Sequence, residues 1–142
     1  MDIESLRQEH AALQALRAEL LALVVDAPSP RADLAGLRWR FSRVLLAHLA
    51  REDRHLYPRM KADPERETAA LAIAYEQEMG GLAACWQAYM TDWPGTRIAR
   101  EWPAFRARTV EILDLLALRI EREERDLYPR LAAPRPRPFS PG

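Results

Sequence analysis

The chain has 142 residues, 21 basic and 21 acidic side chains, and therefore no formal net charge; its one cysteine is Cys85. That balance offers no bulk attraction to nucleic acid or to an acidic membrane surface. A lone cysteine excludes an intrachain disulfide framework and a cysteine-based zinc site.

Few glycines and an excess of Leu, Ala, Arg and Glu predict an all-α fold in one domain over residues 1–131. Asp2 caps a first helix reaching about Val25, where Ala-Pro-Ser-Pro stops it. A second helix is expected from about Arg31 to Leu56, with Pro58 bending or ending it. Asp63-Pro64 opens a third, which lasts to about Thr91 and carries Gly80-Gly81 in its middle. Two mid-helix glycines cost roughly 1 kcal/mol each, and close helix packing is the first explanation, ahead of a kink or an access cavity. After Trp93-Pro94-Gly95 a fourth helix starts within 97–104 and runs to about Leu127. Residues 132–142, rich in Pro and Arg, are expected to form a disordered tail. Short connections make consecutive helices antiparallel, giving an up-down-up-down four-helix bundle.

Steps of three and four place His10 on the apolar stripe of the first helix and His48 and Glu52 on that of the second. The third stripe carries Tyr75 and Met79, and the fourth carries Arg119 and Glu123. A histidine and a carboxylate at i and i+4 share a helix face and can share a metal. Burying carboxylates and a guanidinium is costly unless they neutralise one another or bind a cation. His55, two turns after His48, would face inward as well, as a helix-end hydrogen-bonding group or an accessory ligand. Tyr57 and Tyr128 are candidates to aim hydroxyls into the core. The tryptophans at 39, 86, 93 and 102 fit core or loop-anchoring positions, Cys85 fits a buried inert thiol, and the other charges flanking Glu52 and Glu123 fit solvated faces.

The chain repeats itself. Residues 44–60, VLLAHLAREDRHLYPRM, match residues 115–131, LLALRIEREERDLYPRL, and LRQEHAAL at 6–13 matches YEQEMGGL at 75–82. At an offset of about 70 residues, His10 aligns with Met79, His48 with Arg119, and Glu52 with Glu123. The halves, about 2–62 and 63–131, are two helix pairs.

In order, spacing and repetition these residues resemble the hemerythrin-like family, the HHE cation-binding domains, over about residues 2–131. The resemblance implies a four-helix bundle around a non-haem diiron centre. The family pattern is a His on the first helix, His-x-x-x-Glu on the second, His on the third and His-x-x-x-Glu on the fourth. Carried over position by position, it assigns His10, His48, Glu52 and Glu123 as metal ligands. Met79 and Arg119 stand where the third- and fourth-helix histidines belong, so one half-site is kept and the other is lost. Arg119 cannot ligate, because it stays protonated; its charge and five donors suit it to replace the lost cation between Glu52 and Glu123.

The resulting expectation is a non-enzymatic module that binds or senses metal, oxygen or redox state. It would hold one metal ion, iron first with zinc or manganese as alternatives, and a small ligand such as dioxygen or water. Its rival is a metal-free structural bundle closed by a buried Arg–Glu layer; an enzyme of peroxide or nitrogen-oxide chemistry is a third class. Asp2 and Glu4 stand where a signal peptide would be basic, and no apolar run reaches membrane-spanning length. The expected location is cytoplasmic, without nucleic-acid or membrane partners, and a homodimer is compatible with the sequence.

Overall fold

A computed structural model describes residues 2–132. The expected all-α bundle is what forms, and no described helix is long and apolar enough to cross a membrane. Helix α1 (Ile3–Val25) starts at Asp2, whose carboxylate accepts the Glu4 amide at 3.0 Å. α2 (Leu34–Arg51) begins a turn of α1–α2 linker later than Arg31.

Pro58 neither ends the second helix nor stops it at Leu56. The chain widens into one π turn (Glu52–Leu56), in which the Tyr57 amide bonds the Glu52 carbonyl, and continues as α3 (Tyr57–Lys61). Proline has no N–H to give its own turn and its ring crowds the carbonyl four residues back; the wider winding accommodates both. The second half repeats the device: α7 (Trp102–Arg122) passes through a π turn (Glu123–Leu127), with the Tyr128 amide on the Glu123 carbonyl, into α8 (Tyr128–Ala132). This helix therefore passes Leu127, and Ala132 belongs to it. The rest of the expected disordered tail, residues 133–142, lies outside the described residues.

The third rod is broken. Asp63 accepts the Glu65 amide at 2.9 Å, α4 (Arg66–Met79) follows, and Gly80-Gly81 separates it from α5 (Leu82–Asp92). Close packing against another helix is not the reason for the glycines. A Cβ on Gly80 would lie 2.4 Å from the Glu76 carbonyl of its own preceding turn, whereas one on Gly81 would meet nothing within 4 Å. A cavity of about 310 Å³ opens beside the break, lined by Met79, Gly81, Leu82, Cys85, Leu115 and Leu118 among others. Cys85 is accordingly half-buried on that wall, with the Arg108 guanidinium 3.4 Å from its sulfur. A short α6 (Gly95–Arg100) precedes α7, which carries Pro103 in its first turn.

The bundle closes because α1 packs on α2 and α7, and α5 packs on the same two. Its larger apolar cluster fills the end holding Leu20, Phe41, Trp86 and Phe105; the smaller holds Leu6, Leu56, Met60 and Leu127. Each such side chain, fully buried, contributes roughly 1.5–3 kcal/mol. Trp93 and Trp102 anchor the large end, the latter through its indole N–H to the Ala27 carbonyl at 3.0 Å. Trp39 does not join them and is 63% exposed. Leu37, Arg38 and Phe41 define the inward face of α2, and Trp39 is turned off that face. Between the two apolar clusters lies one polar layer: His10, His48, Glu52, Arg119 and Glu123, each at most 2% exposed.

Candidate metal centre

α1 brings one member to the layer, the second and fourth rods bring two each at the level where their π turns begin, and the third rod brings none. One ligand atom from each of His10, His48, Glu52 and Glu123 falls within 4.8 Å of the others. The imidazoles of His10 and His48 meet edge to face, with centroids 4.7 Å apart. His10 Nε2 lies 3.1 Å from Glu123 Oε1 and 3.7 Å from Glu52 Oε2, and His48 Nε2 lies 3.0 Å from Glu52 Oε1. His55 is not in this group. It is exposed within the first π turn, because the wider winding shifts everything beyond Glu52 off the straight-helix phase.

The outer ring nitrogens are held by two carboxylates that periodicity did not single out. His10 Nδ1 is 2.8 Å from Glu124 Oε1, and His48 Nδ1 is 2.7 Å from Glu9 Oε1. An ionised carboxylate only accepts, so both Nδ1 atoms donate. Arg51 in turn grips Glu9 from the surface. This carboxylate–imidazole pairing fixes ring orientation and points both Nε2 atoms inward.

The π turns place the tyrosines. In a straight α-helix, residues i and i+5 diverge around the axis; in a π turn the amide of i+5 stacks on the carbonyl of i, and both side chains face the layer. Tyr57 donates to Glu123 Oε2 at 2.8 Å and Tyr128 to Glu52 Oε2 at 2.6 Å. Each half of the repeat thus supplies a hydroxyl to the other half's glutamate. Tyr128 also approaches His10 Nε2 at 3.0 Å.

Arg119 fills the other side. Its Nε donates to Glu123 Oε2 at 3.0 Å, and Nη2 reaches Asp53 Oδ1 at 2.8 Å and Glu52 Oε1 at 3.4 Å. Nη1 donates to the Met79 carbonyl at 3.2 Å. Met79, which stands where the family's third-helix histidine belongs, contributes through its backbone carbonyl, at the last residue of α4. Asp53 and Glu124 are therefore not merely solvated. Glu9, Asp53 and Glu124 are each a chain neighbour of a buried polar residue, about 100° around the helix, at the rim of the inward face. Charge beside a buried polar stripe was the available signal.

Electrostatics follow from this crowding. Burial alone would depress the basicity of His10, but Glu123 and Glu52 outweigh it and raise its pKa to about 10. Burial and the neighbouring Glu52 charge push Glu123 up to about 7, against the pull of His10 and Arg119. Glu52 is held well below the usual carboxylate range, because its contacts to His10 and His48 overcome its burial. Burial and the two carboxylates drive both tyrosine hydroxyls up, so they remain donors. Burial opposes the charge of Arg119, but Glu123 and Glu52 overcome it and fix the guanidinium as a cation.

These side chains fit a metal ion. Buried His48 Nε2 makes no hydrogen bond, although Glu52 Oε1 is only 3.0 Å away. A proton there would lack an aligned acceptor, whereas a lone pair would be free for a cation. Two imidazole nitrogens and two carboxylate oxygens converging on one point are a donor set suited to iron, zinc or manganese.

Among known proteins, the family model described as the hemerythrin HHE cation binding domain matches residues 1–131. No curated protein and no solved structure matches the chain.

Proposed function

The chain belongs to the hemerythrin HHE cation-binding domain family, and on that premise we propose that it is a non-enzymatic module binding a single metal ion, with Arg119 as the cation of the other half-site. The observation that carries this reading is the convergence of four buried ligand atoms within 4.8 Å, one of them the unbonded Nε2 of His48. His10, His48, Glu52 and Glu123 would hold the ion, iron in the first place. A bound iron would supply a site for a small ligand and a change of oxidation state, which suits binding or sensing of oxygen or redox state.

The chain's own residues set the terms. Glu9 and Glu124 hold the imidazoles in register, while Tyr57 and Tyr128 restrain the outer carboxylate oxygens. Arg119 spans Glu52, Glu123 and Asp53, so a second ion between the glutamates would meet a fixed positive charge.

The metal-free reading is favoured by one specific feature. With His10 protonated, His10 and Arg119 balance Glu52 and Glu123, and the layer is neutral without an ion. Elemental analysis of protein purified without chelator, followed by anaerobic titration with ferrous iron, separates the two. One ion per chain, lost in His48→Ala, is expected. Failure to take up iron, zinc or manganese at any stoichiometry would leave a structural salt-bridge layer.

A further inference from the structure

A second buried guanidinium lies far from the polar layer. Arg38 is ten residues before His48 on α2, hence about 15 Å along the helix, and is 6% exposed. Unlike Arg119, it has no carboxylate within ion-pair distance among the described residues, and residues 133–142 contain no Asp or Glu. Its charge is met by π faces: the guanidinium carbon is 4.9 Å from the Tyr89 ring centroid and 5.1 Å from that of Phe105. Nη1 donates to the Trp93 carbonyl at 3.2 Å. Nε and Nη2 are buried and bond to no acceptor among the described residues.

Those two atoms are not an arbitrary pair. Nε–H and the adjacent Nη2–H form the side-on edge of the guanidinium, the parallel donor fork that takes both oxygens of a carboxylate or one halide between them. An uncompensated buried cation is expensive, and so is each buried donor without an acceptor. Both costs fall on the same edge, and one bound monoanion would relieve both. The nearby hydroxyls bond elsewhere: Ser42 donates to the Arg38 carbonyl at 2.9 Å and accepts the Trp86 indole N–H at 2.8 Å, and Tyr89 and Thr109 bond each other at 2.7 Å. The Tyr89 hydroxyl also lies within reach of the guanidinium, but Nε and Nη2 gain no aligned acceptor from any of these groups.

We propose that the Nε–Nη2 edge of Arg38 is a binding site for a small monovalent anion, of chloride or formate size, in the large apolar end of the bundle. The site is independent of the metal layer, and its ligand stabilises the native state by mass action.

The test is thermal unfolding of the full chain in sodium chloride, sodium formate and sodium gluconate at equal ionic strength. Saturable stabilisation by chloride or formate, several degrees above gluconate at about 200 mM, is expected; which anion acts tells a halide site from an oxyanion site. The difference should vanish in Arg38→Lys, which keeps the charge and loses the fork, and in Arg38→Met. Should both variants fail to fold, wild-type crystals grown in bromide decide: an anomalous peak beside Nε and Nη2 is expected. Identical unfolding in all three salts, or the absence of bromide at the fork where chloride is the stabilising anion, would overturn the proposal.

Discussion

Tyr57 donates its hydroxyl proton to Glu123, 2.8 Å away on the opposite rod, and not to Glu52, the glutamate that opens its own π turn. The reciprocal bond from Tyr128 to Glu52 ties the two halves of the repeat across the core. The two tyrosines are not equivalent, however. Glu123 Oε2 also receives Arg119 Nε, whereas the next neighbour of Glu52 Oε2 is His10 Nε2 at 3.7 Å. Tyr128→Phe should therefore cost more than Tyr57→Phe, within the roughly 1–3 kcal/mol of a buried acceptor left unsatisfied. Urea unfolding of metal-free protein at neutral pH measures the order.

Among the described residues, Arg119 is the only guanidinium within ion-pair distance of both glutamates. Arg119→Ala leaves two buried carboxylates facing each other and should destabilise metal-free protein by about 3–5 kcal/mol. The double substitution Met79→His and Arg119→His supplies the missing imidazoles, and elemental analysis should then find two ions per chain. One ion per chain would mean that the break at Gly80 keeps the side chain of residue 79 out of the layer.

The proton on His10 must leave before its Nε2 can bind a metal. His10 has a folded pKa of about 10 against the ordinary 6.5, so metal affinity should rise about tenfold per pH unit between roughly 7 and 10. Metal-free protein behaves oppositely. A raised histidine pKa contributes stability that is complete below 6.5 and is lost as pH climbs through 10. Chelator competition and urea titrations across that window should show the two opposed slopes.

Within the centre, Glu9 and Glu124 touch the outer nitrogens of His48 and His10, and at the surface they hold Arg51 and Arg7. Glu9→Ala or Glu124→Ala should weaken metal binding 10–100-fold through ring orientation alone. Circular dichroism should show the helices intact while calorimetric metal titration reports the loss.

The two glycines at the break should respond differently. Gly80→Ala forces a methyl to 2.4 Å from the Glu76 carbonyl and should lower the melting temperature. Gly81→Ala meets open space, and by restricting the unfolded chain should be neutral or stabilising by about 0.4–1 kcal/mol. Equal losses at both positions would contradict this account of the break.

Much of the centre was legible because helical periodicity is local. The spacing of His48 and Glu52, and the apolar residues around His10, Arg119 and Glu123, place all five on inward faces wherever the rods lie. Pro58 was visible too, but reading it as a bend or an end hid the π turn. That choice put His55 inside and left the tyrosine partners open. Trp39 was misplaced for a related reason: hydrophobicity alone does not outrank the phase of its helix.

By itself the sequence determined which residues are buried together and that a cation other than metal stands among them, since burial and charge follow from pattern and composition. Tertiary structure alone decided who bonds to whom. The crossed tyrosine bonds, the grip of Glu9 and Glu124 on the imidazoles, the Met79 carbonyl on Arg119 and the uncovered fork of Arg38 all join groups far apart in the chain. Hydrogen bonds are directional and reach about 3 Å, so they are fixed only once packing has set the distance and rotation of one rod against the next.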